Sequence, residues 1–189
     1  TSTITNISSK WVTVDTTFQA YKPLYMYLVN LSGANAGKYT QVINCNTSTT
    51  KFEVQNVSYF SVGDSVSLIV PAINNKIVNN TLYKGCIALW GNALDNVIEG
   101  NTLNNSYVRV ASLYGICTTI TCPCYNNNVG YNKVTDGKIE AIAQTFSGAS
   151  AETSVGNVVK GNSLLNSTLV ITDQDLNTDG GNYKLAVQS

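Results

Sequence analysis

The sequence predicts an all-β solenoid, a coil of short parallel strands with about 21 residues per turn, preceded by an irregular β segment. Three observations carry this expectation. Residues 95–103, DNVIEGNTL, repeat the phrase NNKIVNNTL of residues 74–82 at a distance of 21 positions. Two later copies, NNNVGYNKV (126–134) and VGNVVKGNSL (155–164), align with them column by column. No unit is long enough between its turn signals to hold a helix of about 10–12 residues.

The phrase is anchored by Asn80, Asn101, Asn132 and Asn162, so one shorter step is followed by two longer ones. The longer steps carry the inserts SLYGICTTITCPCY and QTFSGASAETSVG after the repeated unit. Five positions before the anchors stands a second Asn column, Asn75, Asn96, Asn127 and Asn157. Between the two runs an aliphatic column, Ile77, Ile98, Val129 and Val159, and two after the anchors another, Leu82, Leu103, Val134 and Leu164. Further columns follow at seven (Ile87, Val108, Ile139, Leu169) and nine (Leu89, Val110, Ala141, Ile171). Positions seven and nine share a face while position eight takes the other, which is strand periodicity.

Each unit therefore reads as a short strand around the Ile/Val, a turn at the anchor, and a longer strand beyond it. Strands that recur in one direction without a crossover helix pair with the next turn of a coil, about 4.8 Å away. The apolar columns become interior stacks. The Asn columns become ladders whose amides satisfy buried polar groups at the turns. Arg109 and Glu140, at position eight, fall one above the other on the outer face as a pair worth at most about a few tenths of a kcal/mol. An antiparallel sandwich would also give short strands, but its hairpins favour Asn-Gly, and 24 asparagines here form no such pair.

Residues 64–70, DSVSLIV, extend the coil one turn backwards, since Val66 and Leu68 lie one repeat before Ile87 and Leu89. The expected organisation is a coil over 64–189 behind an N-terminal β segment over 1–63. That segment reads as strands without the Asn phrase at KWVTVD (10–15), PLYMYLV (23–29), KYTQVI (38–43) and TKFEVQ (50–55), with 31–54 as an irregular β excursion. No helix is available to cover the exposed end of a coil. The chain is therefore expected either to belong to a larger polypeptide or to associate with copies of itself.

The N-x-I/V-x-x-N-x-L/V phrase with stacked Asn resembles the right-handed parallel β-helix of the pectate-lyase-like superfamily. That group comprises polysaccharide lyases and hydrolases, virus and phage tailspikes, and bacterial surface adhesins. The resemblance covers roughly residues 64–187 and implies a fold shared by all those classes, without choosing an activity. It also implies side-by-side association as trimers.

Composition narrows the function. The chain has eleven basic and eleven acidic residues, a single Arg (Arg109) and no His. With no basic stripe or cluster, nucleic acid and anionic membranes are poor partners, and no apolar run is long enough to span a bilayer. Charged residues are 12% of the chain, and 24 Asn, 21 Thr and 17 Ser supply the polarity. Such an uncharged, amide- and hydroxyl-rich surface suits an extracellular, cell-surface or virion protein. Seven Asn-x-Ser/Thr sequons, at Asn6, Asn30, Asn46, Asn56, Asn79, Asn104 and Asn166, permit glycosylation. Cys117, Cys122 and Cys124 form a Cys-x4-Cys-x-Cys cluster, with Cys45 and Cys86 elsewhere. The spacing fits zinc poorly, so a disulfide of Cys117 with Cys122 or Cys124 is preferred, Cys86 being a further candidate, in an oxidising compartment.

Without His, the usual Ser–His and Cys–His nucleophiles are excluded. Lyases of the family rely on clustered Asp for calcium with a basic residue, and hydrolases need paired carboxylates. The nearest match is TDQDLNTDGG (172–181), with Asp173, Asp175 and Asp179. Its Asp-x-Asp…Asp-Gly resembles a calcium loop without the bidentate Glu, and a polar turn is the simpler reading. No metal or other cofactor is expected. Outward aromatic residues offer another chemistry: Trp90 and Tyr107 on adjacent turns beside Arg109 and Glu140, with Tyr114 and Tyr131 nearby in inserts or turns. Aromatic faces among Asn, Ser and Thr suit sugar rings and equally a subunit interface. The expectation is a rigid shaft and recognition surface for a glycan or cell-surface receptor. A polysaccharide lyase or glycoside hydrolase, of which this would be the C-terminal part, and a structural filament subunit are the alternatives.

Overall fold

The computed structural model describes residues 1–19, 25–46, 48–116, 120–145, 154–171, 178–180 and 183–185. The chain is all-β, without an α-helix among the described residues, and divides into two compact units, Thr1–Pro71 and Ala72–Ser189.

The first unit contains six strands. They are β1 (Ser2–Ser8), β2 (Trp11–Gln19), β3 (Tyr27–Asn30), β4 (Tyr39–Asn44), β5 (Ser48–Val54) and β6 (Ser65–Ile69). They pair antiparallel in the order β1-β2-β5-β4-β3-β6 and close, because β1 also pairs with β6. Closure needs strong local bending, and register shifts in the β1–β2, β2–β5 and β4–β5 pairs provide it. Ile4, Val12, Val14, Met26, Leu28, Val42, Phe52, Val54, Phe60 and Val66 fill the interior, each contributing about 1.5–3 kcal/mol by leaving water. Buried Asn30 ties the connections: its Nδ2 donates to Tyr59 O (2.9 Å) and to Asp64 Oδ2 (2.7 Å).

Two expectations are corrected here. Residues 31–54 are not an excursion between coil turns, since they supply β4 and β5 of the barrel. Residues 64–70 are not a turn of a coil either, because β6 pairs antiparallel with β1 and β3. Alternation at Val66 and Leu68 fits both environments. The Asn columns extended back by one repeat would fall on Val54 and Tyr59, so the ladder signal was already missing.

In the second unit each repeat supplies three short strands and one longer one: Ala72–Ile73, Lys76–Val78, Thr81–Tyr83 and Cys86–Trp90 in the first. Each pairs in parallel with its counterpart in the next repeat, and the repeats add strands to four sheets in chain order. The long sheet aligns Ile87, Val108, Ile139 and Leu169. The adjoining short sheets align Ile77, Ile98, Val129 and Val159, and Leu82, Leu103, Val134 and Leu164. These residues form one core with Ala93, Val110, Cys124 and Ala141.

Corners between the strands follow one plan in the four repeats whose corners are described. A residue of left-handed backbone precedes each Asn column: Asn74, Asp95, Asn126 and Gly156 at one corner, Asn79, Gly100, Tyr131 and Gly161 at the other. The Asn that follows is buried in the second to fourth repeats, whereas Asn75 and Asn80 of the first are exposed. The Oδ1 of each buried Asn accepts the backbone N–H and the Nδ2–H of the preceding repeat's Asn, as from Asn96 to Asn127 at 3.1 and 2.8 Å. Its own Nδ2 also donates to a carbonyl of the preceding repeat, as from Asn127 to Ala93 O at 3.0 Å. The column of Asn80, Asn101, Asn132 and Asn162 repeats the pattern. Buried amides thus replace the backbone partners that strands cannot supply at a corner. A third corner, with left-handed Lys84, Asn105, Asp136 and Asn166, is followed by the small residues Gly85, Ser106, Gly137 and Ser167. There Gly85 N–H donates to Ser106 Oγ and Gly137 N–H to Ser167 Oγ, both at 3.0 Å.

The resemblance to the pectate-lyase-like superfamily is corrected by this architecture. A closed six-stranded antiparallel barrel occupies the first unit, and the second consists of several short parallel sheets. The Asn phrase encodes amide-lined corners and a parallel register, a local requirement of any such stacking, and it does not encode a family.

Candidate functional site

On the long sheet, residues at alternate positions leave the core and form an outer face. Cys86, Tyr107 and Lys138 lie side by side in register, and so do Ala88, Arg109 and Glu140. Trp90, at the end of the first strand, remains 47% exposed. The guanidinium of Arg109 lies over the rings of both Trp90 and Tyr107, with centroid distances of 5.4 and 5.5 Å. Its Nε donates to Glu140 Oε2 at 2.6 Å, and Lys138 Nζ donates to Glu140 Oε1 at 2.9 Å. Lys138 Nζ also stands 5.6 Å from the Tyr107 ring centroid. The pair is therefore more enclosed than an isolated outer-face ion pair, with Arg109 and Glu140 side chains 19% and 10% exposed.

The charges follow from this packing. Burial pushes the Glu140 carboxyl up, but the hydrogen bonds and positive charges of Arg109 and Lys138 outweigh it and hold the group below its ordinary value. The Tyr107 phenol is raised, first through its hydrogen bond with the Cys86 side chain. With Arg109, Lys138 and Glu140 ionised, the cluster carries two positive charges and one negative, a net +1.

The structure brings together Trp90, Tyr107, Arg109 and Glu140 from the expected set and adds Lys138 and Cys86. Tyr131 lies apart, at a left-handed corner. Its ring packs over Gly161 and lines an open groove of 520 Å³ with Lys76, Glu99 and Asn128. Cys117, Asp173 and Asp175, and the side chains of Tyr114 and Asp179, lie outside the described residues. Cys45, Cys86, Cys122 and Cys124 are free thiols. Cys124 is buried in the core, which pushes its thiol up to about 12. No group of three or more potential metal ligands occurs among the described residues, and no helix among them is long and apolar enough to cross a membrane. Of the sequons, Asn6, Asn46, Asn79, Asn104 and Asn166 are exposed and Asn56 half-buried, whereas Asn30 is buried with its amide bonded inside the barrel.

Lys138 was within reach of the sequence, because it occupies the same column as Tyr107. Its role required knowing that Glu140 is enclosed. No family model matches this chain, and no curated protein matches it.

Proposed function

We propose that this chain is a recognition module of an extracellular, cell-surface or virion protein that binds glycans without cleaving them. In this reading the four parallel sheets are the sides of a rigid coil with about 21 residues per turn, and the module works within a larger chain or a homo-oligomer. Support for the coil comes from each sheet taking one strand from each repeat in chain order. The observation that carries the binding reading is the Trp90 indole, half-exposed and backed by the Arg109 guanidinium.

An exposed aromatic face takes the C–H face of a sugar ring, and adjacent cations take its polar substituents. A net positive cluster favours a sugar bearing a carboxylate or sulfate. Catalysis is disfavoured because the carboxylate of this cluster, Glu140, is enclosed and already accepts from Arg109 and Lys138.

Titration calorimetry against uronate-containing, sialylated and sulfated oligosaccharides tests this. Binding to one of them, weakened about tenfold or more by Trp90→Ala, is expected. Absence of binding across the panel overturns the recognition reading, and release of new reducing ends overturns the non-catalytic one.

A further inference from the structure

The barrel carries a second site of different chemistry. On β4, Thr40 and Val42 are buried, so Tyr39 and Gln41 share the outer face. Tyr27 of β3 lies directly opposite Gln41, and the Tyr27 and Tyr39 rings meet edge to face at 5.9 Å and 68°. The chain leaving β5 is held beside them: Gln55 N–H donates to Gln41 O and Asn56 N–H to Thr40 Oγ1, both at 3.0 Å. Together with Tyr59, these residues surround an open hollow of about 450 Å³, within the usual range for small-molecule sites of roughly 300–1,000 Å³.

We propose that this hollow binds a neutral sugar unit of a glycan. Its lining holds no charged side chain, so an ionic ligand would lose hydration without compensation. Three phenol rings supply flat apolar faces with polar tips. The Gln55 amide offers both a donor and an acceptor, which matches hydroxyl groups that are both at once, and Asn56 adds its Nδ2 donor, its Oδ1 already accepting from Ser58 N–H and Oγ at 3.0 and 2.8 Å. Among the described residues the Gln55 side-chain amide has no hydrogen-bond partner and is exposed at the rim. An extended peptide is a poor occupant, because β3 and β4 are paired on both sides in the closed barrel and offer no free edge. The site stands apart from the Trp90 face in residues, unit and charge, and holds whether or not that face binds acidic sugars.

The test is NMR of the whole chain with neutral oligosaccharides built from glucose, galactose, mannose or N-acetylglucosamine. At least one is expected to shift the side-chain amide signals of Gln41, Gln55 and Asn56. Tyr27→Ala and Gln55→Ala should each weaken that binding about tenfold, whereas Trp90→Ala leaves it unchanged. Gln55→Ala alters an exposed side chain and keeps the test meaningful should Tyr27→Ala fail to fold. The proposal is overturned if no neutral sugar moves these amides, if Gln55→Ala binds as the parent does, or if the shifts fall on the 86–140 face and vanish with Trp90→Ala.

Discussion

The Oδ1 of Asn132 accepts two hydrogen bonds from Asn101, one from its backbone N–H at 3.0 Å and one from its Nδ2 at 2.9 Å. The Nδ2 of Asn132 in turn donates to Ile98 O and to Asn162 Oδ1. Asn132→Ala would orphan the Asn101 backbone N–H and one of its two Nδ2 hydrogens, the other staying on Ile77 O, and would remove the donor to the Ile98 carbonyl, in a site closed to water. A loss of about 3 kcal/mol or more is expected in denaturant unfolding followed through Trp90. Loss below about 1 kcal/mol would mean that water replaces the amide.

Two glycines of one corner column should respond to very different degrees. A Cβ at Gly137 would stand 1.9 Å from Ser106 O, whereas one at Gly85 meets only Leu82 Cδ2, at 3.6 Å. Gly137→Ala should destabilise by on the order of 3 kcal/mol, and Gly85→Ala by well under about 1 kcal/mol. Equal melting temperatures for the two variants would contradict this corner geometry.

Glu140 sets a pH dependence with a defined sign. Its folded value lies below the ordinary 4.5, so its stabilisation is complete above 4.5 and lost as pH falls through the lower folded value. Glu140→Gln should be less stable at neutral pH and lose less between neutral and strongly acidic pH. In the barrel, hydrogen bonds from Ser2 and Thr3 lower Asp15 from 3.8 to about 2, so its contribution fades over that interval and Asp15→Asn should lack the loss. The two tryptophans, Trp11 and Trp90, fall one in each unit, and variants retaining one of them separate the two effects in unfolding curves at several pH values.

The thiols should differ sharply in reactivity. Cys86 is exposed, whereas Cys124 is buried and its thiol stands at about 12, far from the reactive thiolate at neutral pH. Brief treatment with a maleimide and peptide mapping should find Cys86 modified and Cys124 intact until denaturant is added. Modification of Cys124 at the rate of Cys86 would show that the core opens there.

Much of the second unit was legible because its repeats write each requirement in side chains. Ile98 must face inward beside Ile77 and Val129, and Asn96 must meet Asn75 and Asn127, so alignment of the columns sufficed to give the register of the parallel pairs. The left-handed corners were less visible, since Lys84 and Tyr131 are not residues that announce a positive φ. The third ladder was hidden because glycine supplies only its backbone N–H to a neighbour's serine. The barrel was illegible for another reason. Antiparallel closure sets β1 against β6, the first strand of the unit against its last, and alternation at Val66 and Leu68 looks the same in either sheet type. The hollow beside Tyr27 shared that fate, because Tyr27, Tyr39 and Tyr59 meet only through the pairing. On the outer face, the residues of the Trp90 cluster could be named from their columns. The enclosure that fixes the charge of Glu140 could not.

Ala93 pairs with Ala72 of the repeat before it and with Cys124 of the repeat after it, although the second partner is much the more distant along the chain. Between Trp90 and Ala93 the link is only Gly91 and Asn92, while the next repeat runs from its long strand through the antiparallel hairpin partner Ile120–Cys122 before reaching Cys124. The repeat length is thus counted strictly at the amide-lined corners and left uncounted at this junction. A chain built so can gain or lose a whole hairpin at one address per repeat while every other address keeps its neighbour. That makes the junction after the long strand the natural port for grafted loops, and the place where related chains would diverge first.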